Sequence, residues 1–292
     1  MKGRIERVIW IGLLAFICAY TTCLLANAQE EVLSETHREA LERYNQGVEY
    51  VRSKDYDKAI AEFKECLKLD PQNAQAHYAL GLAYRRKSNF KEAISEYKQA
   101  VKIDSSFADA YYNLGLALRE TKDYKEAISA FKNAVLADST IYKAHFSLGL
   151  TYHDLKQGKE AIEAYKRALE IKPDYYRAHY NLGVIYSEQG KFSQAIAQYK
   201  KATEVKPNHF NAYYRMADAH NQLGEYDKAV IAAQKSLKYK SNYAPALVAL
   251  GDAYEKLGKT QEAIDMFQKA AKDQKWKTYA EYKIKILSRE SQ

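Results

Sequence analysis

The chain has 292 residues, 47% hydrophobic and 28% charged, with a formal net charge of +8 at pH 7. That balance excludes a disordered tail and a bulk membrane protein, and the scarcity of Pro (4) and Gly (12) argues against collagen-like, linker-rich and turn-rich β architectures. Acidic and basic residues are interspersed with no dense Lys/Arg stripe, so a solvated surface is expected rather than a nucleic-acid footprint.

The first element is an address. Lys2, Arg4 and Arg7 precede an apolar run from Val8 to Leu25, broken by Thr21 and Thr22; Ala26-Asn27-Ala28 and then Gln29-Glu30-Glu31 follow. A positive start, an apolar stretch and a small-x-small exit predict an export signal at residues 1–28, cleaved after Ala28. The apolar run is also long enough for an uncleaved anchor. Lipid attachment at Cys23 is disfavoured by the Tyr20-Thr21-Thr22 before it. On either reading the body of the protein leaves the cytoplasm, to a periplasmic or secreted location. Only Cys66 lies beyond the signal, so no intramolecular disulfide is possible after cleavage, and it reads as a small core residue. Residues 29–39 form a polar lead in which Val32 and Leu33 could pack onto the unit that begins at Ala40.

From residue 40 the chain repeats. Gly47, Gly81, Gly115, Gly149, Gly183 and Gly251 stand on one ladder of 34 residues, with Ala217 in the missing slot. Ala59, Ala93, Ala127, Ala161, Ala195, Ala229 and Ala263 form a second, and Ile60, Ile94, Ile128, Ile162, Ile196, Val230 and Ile264 a third. Seven units run without insertion: 40–73, 74–107, 108–141, 142–175, 176–209, 210–243 and 244–277. Within each, apolar residues recur at helical spacing in two stripes, and small residues allow two helix backbones to approach closely. Pro71, Pro173 and Pro207 close the second helix of their units, because Pro lacks an N–H and disfavours helical geometry just before it. Pro245 sits in a first helical turn, which tolerates it.

The same ladders carry a family resemblance. Leu80-Gly81, Leu114-Gly115, Leu148-Gly149, Leu182-Gly183 and Leu250-Gly251 stand at positions seven and eight, and Tyr50, Tyr84, Tyr152, Tyr186 and Tyr254 at eleven. Aromatics follow at position twenty-four (Phe63, Tyr97, Phe131, Tyr165, Tyr199, Phe267) and small residues at twenty-seven (Ala100, Ala134, Ala168, Ala202, Ala270, with Cys66 and Ser236). In spacing and motif the chain resembles the tetratricopeptide-repeat family from residue 40 to about 277. The resemblance implies an all-α, right-handed α-solenoid of seven helix-turn-helix repeats. Residues 278–292 line up as a C-terminal capping helix, with Ala280, Tyr282 and Ile284 in register and Lys285 in the glycine slot.

In such solenoids the first helices line a concave groove, faced by positions two, five, six, nine, twelve and thirteen. Position five holds Tyr44, Tyr78, Tyr112, Phe146, Tyr180 and Tyr214, and position nine holds Leu82, Leu116 and Leu150, then Asp218 and Asp252. An aromatic stripe at helical spacing is equally a core stripe. Asn45, Asn113 and Asn181 at position six resemble the asparagine ladder of the sugar-transferases that modify Ser and Thr with N-acetylglucosamine, where the amides grip an extended peptide backbone; Ala79, Ser147, Arg215 and Ala249 interrupt it here. Arg85, Arg119, Lys143 and Arg177 make the first part of the groove basic, while Asp218, Asp252 and Glu255 make its far end acidic, which would orient a bound peptide. The family's clamp for chaperone-tail carboxylates, Lys at five with Asn at nine, is absent.

Nothing in the sequence announces catalysis. There is no phosphate-binding loop, nucleophile elbow or His-Glu-x-x-His, and His77, His145, His153 and His179 read as packing residues or groove wall rather than as ligands. No cofactor is expected. The sixth repeat diverges, with Met216, Ala217, His220, Ala233 and Ser236 where Leu, Gly, Tyr, an aromatic and Ala are the rule. Ala233 predicts either a loosened stack or a pocket. The expected function is an exported, non-enzymatic scaffold or assembly factor that binds a protein or extended peptide in its groove. The alternatives are a docking subunit for a separately encoded glycosyltransferase or cell-wall enzyme, and a signal-anchored membrane organiser.

Overall fold

A computed structural model describes residues 35–290. Residues 1–28, where an export signal is expected, and Val32 and Leu33 lie outside the described residues. All regular structure among the described residues is helical. Helix α1 covers residues 35–52; then come α2 (Tyr56–Leu69), α3 (Ala74–Arg86), α4 (Phe90–Ile103), α5 (Ala108–Glu120), α6 (Tyr124–Ala137), α7 (Tyr142–Asp154), α8 (Gly158–Ile171), α9 (Tyr176–Glu188), α10 (Phe192–Val205), α11 (Phe210–Gln222), α12 (Tyr226–Tyr239), α13 (Ala244–Lys256), α14 (Thr260–Ala270) and α15 (Lys277–Glu290). The chain divides into two compact units, one ending at Ala130 and one beginning at Phe131. In each, consecutive helices pack antiparallel in pairs and each pair stacks on the next, which makes the fold an all-α solenoid.

The hairpin inside each repeat is made by one left-handed residue at position fifteen. Lys54, Ser88, Lys122 and Lys156 hold φ of 61–65° there, and Gly190, Gly224 and Gly258 hold 71–74°. At Ser88 the ending is a Schellman motif: Asn89 N–H donates to the Tyr84 carbonyl at 3.0 Å and Ser88 N–H to Arg85 at 3.0 Å, satisfying carbonyls the helix leaves open. Glycine takes this conformation without a Cβ penalty in the last three repeats; the first four hold it with a side chain in place.

Small residues set the distance between paired helices. The seven alanines Ala59 to Ala263 at position twenty are buried, Ala59, Ala93, Ala161 and Ala229 among them without any exposed surface. The position-eight glycines Gly47, Gly81, Gly149, Gly183 and Gly251 lie under the aromatic rings of their own repeats. A Cβ on Gly81 would stand 2.6 Å from Tyr97 Cε1, one on Gly183 2.6 Å from Tyr199 Cε1, and one on Gly251 2.9 Å from Phe267. Those rings are fully buried, so the glycines are required by contact rather than by backbone freedom. In the sixth repeat the pair is replaced by Ala217 and Ala233, both without exposed surface and sharing one cluster with Ala232, Ala249 and Leu250. The methyl of Ala217 comes with the loss of the opposing ring, and the stack there is closed. A recess of about 160 Å³ lies beside it, lined by Tyr213, Met216, His220 and Ala232 rather than by Ala233.

Helix α15 buries Ala280 and Leu287 against α14, with Trp276, Ile284 and Met266 around them. Lys285, in the slot where other repeats need glycine, is exposed. Cys66 is buried and free; burial pushes its thiol pKa up, which keeps it an unreactive core group.

Candidate protein-binding surface

The position-five aromatics are half packing and half surface. In the first unit Tyr44 rests on Phe63 with ring centroids 5.8 Å apart. Tyr78 rests on Tyr97 at 5.9 Å and Phe107 at 4.8 Å. In the second unit Tyr180 rests on Tyr199 at 5.9 Å and His209 at 4.9 Å, and Tyr214 on Tyr243 at 5.5 Å. Tyr44, Tyr78, Tyr112, Tyr180 and Tyr214 are all partly exposed, while Phe146 is buried against Tyr165 and Tyr175. Phe146 is therefore a core residue with little left to offer a partner. Burial lifts the Tyr78 and Tyr243 phenols to about 12 and raises Tyr214, so these rings act as apolar bodies with a neutral polar tip. Leu82, Leu116, Leu150, Arg85 and Arg119 are half-buried beside them.

The three asparagines are not equivalent. Asn113 is only 7% exposed, and its Nδ2 donates to the Tyr78 hydroxyl at 3.1 Å and to the Asp109 carbonyl at 2.9 Å. Both amide hydrogens are spent inside the protein. Asn181 donates one to the Arg177 carbonyl at 2.8 Å, and Asn45 is exposed.

The far end of the row differs from its sequence reading. Asp218 and Asp252 share a recess of about 190 Å³ with Asn221, Glu255 and Lys283. Lys283, from α15, lies 3.4 Å from Asp252 and pairs with Glu255, and the Tyr279 hydroxyl donates to Asp252 at 2.9 Å. The expected acidic end is thus partly neutralised by the capping helix. Burial, first of all, raises the pKa of both aspartates; Asp252 adds to it at Asp218, and Arg215 and Lys283 oppose it.

A second row escaped sequence reading. Position thirty-one, in the turn between repeats, is Asp70, Asp104 and Asp138 in the first three repeats and Lys172, Lys206 and Lys240 in the next three. The aspartates are turn caps: Asp104 Oδ1 accepts from Ser106 N–H at 2.9 Å and its hydroxyl at 2.6 Å, and Asp138 Oδ1 from Thr140 at 2.8 and 2.7 Å. The lysines lie on rings. Lys172 Nζ stands 5.6 Å from the centre of Tyr142, Lys206 4.7 Å from Tyr176, and Lys240 4.9 Å from Phe210 and 5.0 Å from Tyr243. The readable signal was the joint change from Asp to Lys at thirty-one and from Ala to an aromatic at position one, where Ala40, Ala74 and Ala108 give way to Tyr142, Tyr176 and Phe210.

The position-four histidines seal the inter-repeat turns. His179 places Nε2 2.9 Å from the Pro173 carbonyl and Nδ1 2.8 Å from Gln198, on the floor of a recess of about 640 Å³. Among the described residues no group of three His, Cys, Asp or Glu side chains is placed to hold a metal ion. Nor is any helix among them long and apolar enough to cross a membrane.

The comparisons with known proteins agree with this architecture. A family model described as TPR repeat matches residues 47–88, 81–121 and 149–190. Two described as tetratricopeptide repeat match 108–140 and 176–209, and 208–274. No curated protein matches the chain closely enough to count as a relative. Among solved structures, a crystal structure of MamA is 33% identical over 55% of this chain and 94% of that one, with a TM-score of 0.54. YrrB, whose structure is described as a TPR protein with an unusual peptide-binding site, is 24% identical over 63% of this chain and 95% of its own, with a TM-score of 0.57. A tetratricopeptide repeat protein from Parabacteroides merdae covers 86% of this chain and 99% of its own at 18% identity and a TM-score of 0.61. These last two speak to the fold alone.

Proposed function

The chain belongs to the tetratricopeptide-repeat family, and from that premise we propose that it is an exported scaffold or assembly factor that holds a partner protein against the face of its first helices. The observation that carries this reading is that half-buried position-five rings recur in both units, Tyr78 in the first and Tyr180 and Tyr214 in the second, among aliphatic and polar neighbours. Rings already immobilised by packing lose little freedom when covered, which makes them good binding anchors. Leu82, Leu116 and Leu150 supply apolar surface, and Arg85, Arg119, Asp218 and Asp252 supply charge of both signs. Because Asn113 has spent its amide hydrogens, gripping of a peptide backbone falls to Asn45 and Asn181. Export rests on Lys2, Arg4, Arg7, the apolar run and Ala26-Asn27-Ala28.

The test is site-specific photo-crosslinking in the native envelope, with the crosslinker placed in turn at Leu82, Leu116 and Leu150 and, on second helices, at Lys98 and Lys200. The reading expects the same partner captured from the first-helix positions and little from Lys98 or Lys200. Capture from the second-helix positions alone overturns it. Export is checked separately: intact mass should show a chain beginning at Gln29 in the soluble envelope fraction, and Met1 retained in membranes would replace it with an anchor.

A further inference from the structure

The lysine-on-ring row of the second unit lies outside the first-helix positions five to thirteen, and its chemistry points to a second contact surface. In three successive repeats an aromatic begins the first helix, a lysine stands at the end of the second, and another ring or imidazole follows: Tyr142, Lys172 and Tyr175; Tyr176, Lys206 and His209; Phe210, Lys240 and Tyr243. The rings pack edge to face in each set, at 5.0, 5.3 and 5.0 Å. The rings hold the ammonium groups over their faces, and Lys206 also donates to the Tyr176 hydroxyl at 3.4 Å; an ammonium has three N–H groups, so each lysine keeps donors for something else. Lys172 meets one exposed carboxylate, Asp174, at 3.1 Å; Lys206 and Lys240 have no carboxylate partner among the described residues. Arg177 adds a cation at 3.4 Å from the Tyr176 hydroxyl. The surplus of positive charge is felt at that phenol, whose pKa is held below its ordinary value by hydrogen bonds from Arg177 and then Lys206.

We propose that this edge is a docking surface for an acidic polypeptide segment, whose carboxylates meet Lys172, Lys206 and Lys240 while its apolar side chains lie on the intervening rings. Each cation is pre-positioned by its ring, so binding does not have to immobilise a free lysine. One cation per repeat with aromatic surface between them fits a chain whose carboxylates alternate with apolar groups. A sugar-phosphate backbone would call for a dense basic stripe instead. The turn just before the row, within the same unit, carries Asp138 instead, so an acidic segment is repelled there and directed to repeats four to six.

The proposal does not depend on what the first-helix face holds, and its test uses a defined probe. A fluorescein-labelled peptide of alternating Glu and Leu-Gly units is titrated by anisotropy against the chain from residue 29, alongside a Lys-for-Glu version. Two triple variants carry equal charge changes: K172E/K206E/K240E at the edge and K166E/K200E/K201E on second helices. The edge triple should weaken the acidic peptide about tenfold, as expected from three partly screened ion pairs, and the control triple less than about threefold. Affinity should fall with added salt, and the Lys peptide should not bind. Circular dichroism checks the fold; should the edge triple unfold, K172M/K206M/K240M keeps an unbranched stem of nearly the same length and removes the charges, and should weaken binding in the same sense. Equal losses in both triples, or no binding of the acidic peptide, overturn the proposal. Oligo-dT or anionic phosphatidylglycerol vesicles bound through the same lysines more tightly than the peptide would also overturn it, in favour of a phosphate-recognising edge.

Discussion

Repeats two and four, residues 74–107 and 142–175, share one core and differ in almost everything attached to it. Both place a glycine under a fully buried tyrosine, Gly81 under Tyr97 and Gly149 under Tyr165. Both turn on a left-handed non-glycine residue, Ser88 and Lys156. Yet repeat two closes with Asp104 capping a turn, and repeat four with Lys172 laid on Tyr142. Both carry histidine at position four, but His77 is hydrogen-bonded to the Glu96 carboxylate, whereas at His145 burial and Arg167 outweigh Glu170. The glycine–ring contact fixes the helix pair; the turn and the position-four slot are then free to vary in charge without disturbing it.

The sharpest way to break this comparison is through the shared core. In Gly81→Ala and Gly149→Ala, a Cβ meets a ring that cannot move. Overpacking costs about 3 kcal/mol, and the gain in helix propensity returns about 1, leaving a net loss of about 2 kcal/mol in each repeat. Thermal and urea unfolding followed by circular dichroism should show similar losses; a loss in one repeat and none in the other would mean the cores are not equivalent. The next effect is stabilising. Ser88→Gly and Lys156→Gly relieve the left-handed Cβ and should each gain roughly 0.5–1 kcal/mol, again alike in both repeats.

The turn chemistries should then separate the repeats. Lys172→Ala removes a cation–ring contact worth about 0.5 kcal/mol at an exposed site. Its effect should be insensitive to pH between 5 and 8, where the neighbouring Asp174 stays ionised. Asp104→Ala removes two hydrogen bonds whose acceptor is the ionised carboxylate, and those bonds hold the Asp104 pKa below its ordinary value, the serine hydroxyl first and its N–H second. A depressed carboxylate stabilises above its unfolded pKa and ceases to as pH falls through the folded one. The destabilisation by Asp104→Ala should therefore be present at pH 7 and vanish in acid. A pH-independent Asp104 effect would remove the carboxylate from the account.

The smallest expected difference is a crossing of two histidine profiles. His77 places Nδ1 2.6 Å from Glu96 and Nε2 3.2 Å from the Pro71 carbonyl, two acceptors that suit an imidazolium; the Glu96 bond raises its pKa against the opposing effect of burial. Its contribution is fully present below about 6.5 and lost as pH rises through the raised value. His145 is shifted down by burial and then by Arg167, with Glu170 opposing. Its contribution is present above about 6.5 and lost as pH falls through the lowered value. His77→Gln should cost more stability at pH 5.5 than at pH 8, and His145→Gln the reverse; parallel profiles would show that the shared slot, not its neighbours, sets the charge.

Much of this core was legible because a fixed period states which residues recur together. Gly81 and Tyr97 recur as a pair in repeat after repeat, so the close approach of their helices followed from spacing. What stayed hidden depends on neighbours that the period does not pair. The donors of Asn113 are consumed by Tyr78 in the preceding repeat and by its own helix, so its place in a ladder overstated what it can offer. Lys283 belongs to the helix that ends the array, yet it stands against Asp252 and Glu255 and changes the charge of a surface read from repeats six and seven. The lysine row was in plain sight, but an Asp-to-Lys change at a turn has physical meaning only when the ring at position one changes with it.

The sixth repeat shows how such a core can be rewritten. If it descends from the common unit, two of its substitutions, at the glycine and at the ring, fall on one contact, and their order matters. A methyl added first would lie within 3 Å of a ring held on all sides, as the 2.6 Å approaches at Gly81 and Gly183 show. A ring removed first leaves a hole, costly at about 3–5 kcal/mol but relieved by local collapse and then filled by the methyl. Since the glycine and the ring it supports sit in one repeat, either intermediate burdens a single unit while six intact ones keep the array folded. Duplication thus acts as insurance: a copy can cross an unstable step that a lone domain of the same stability could not survive.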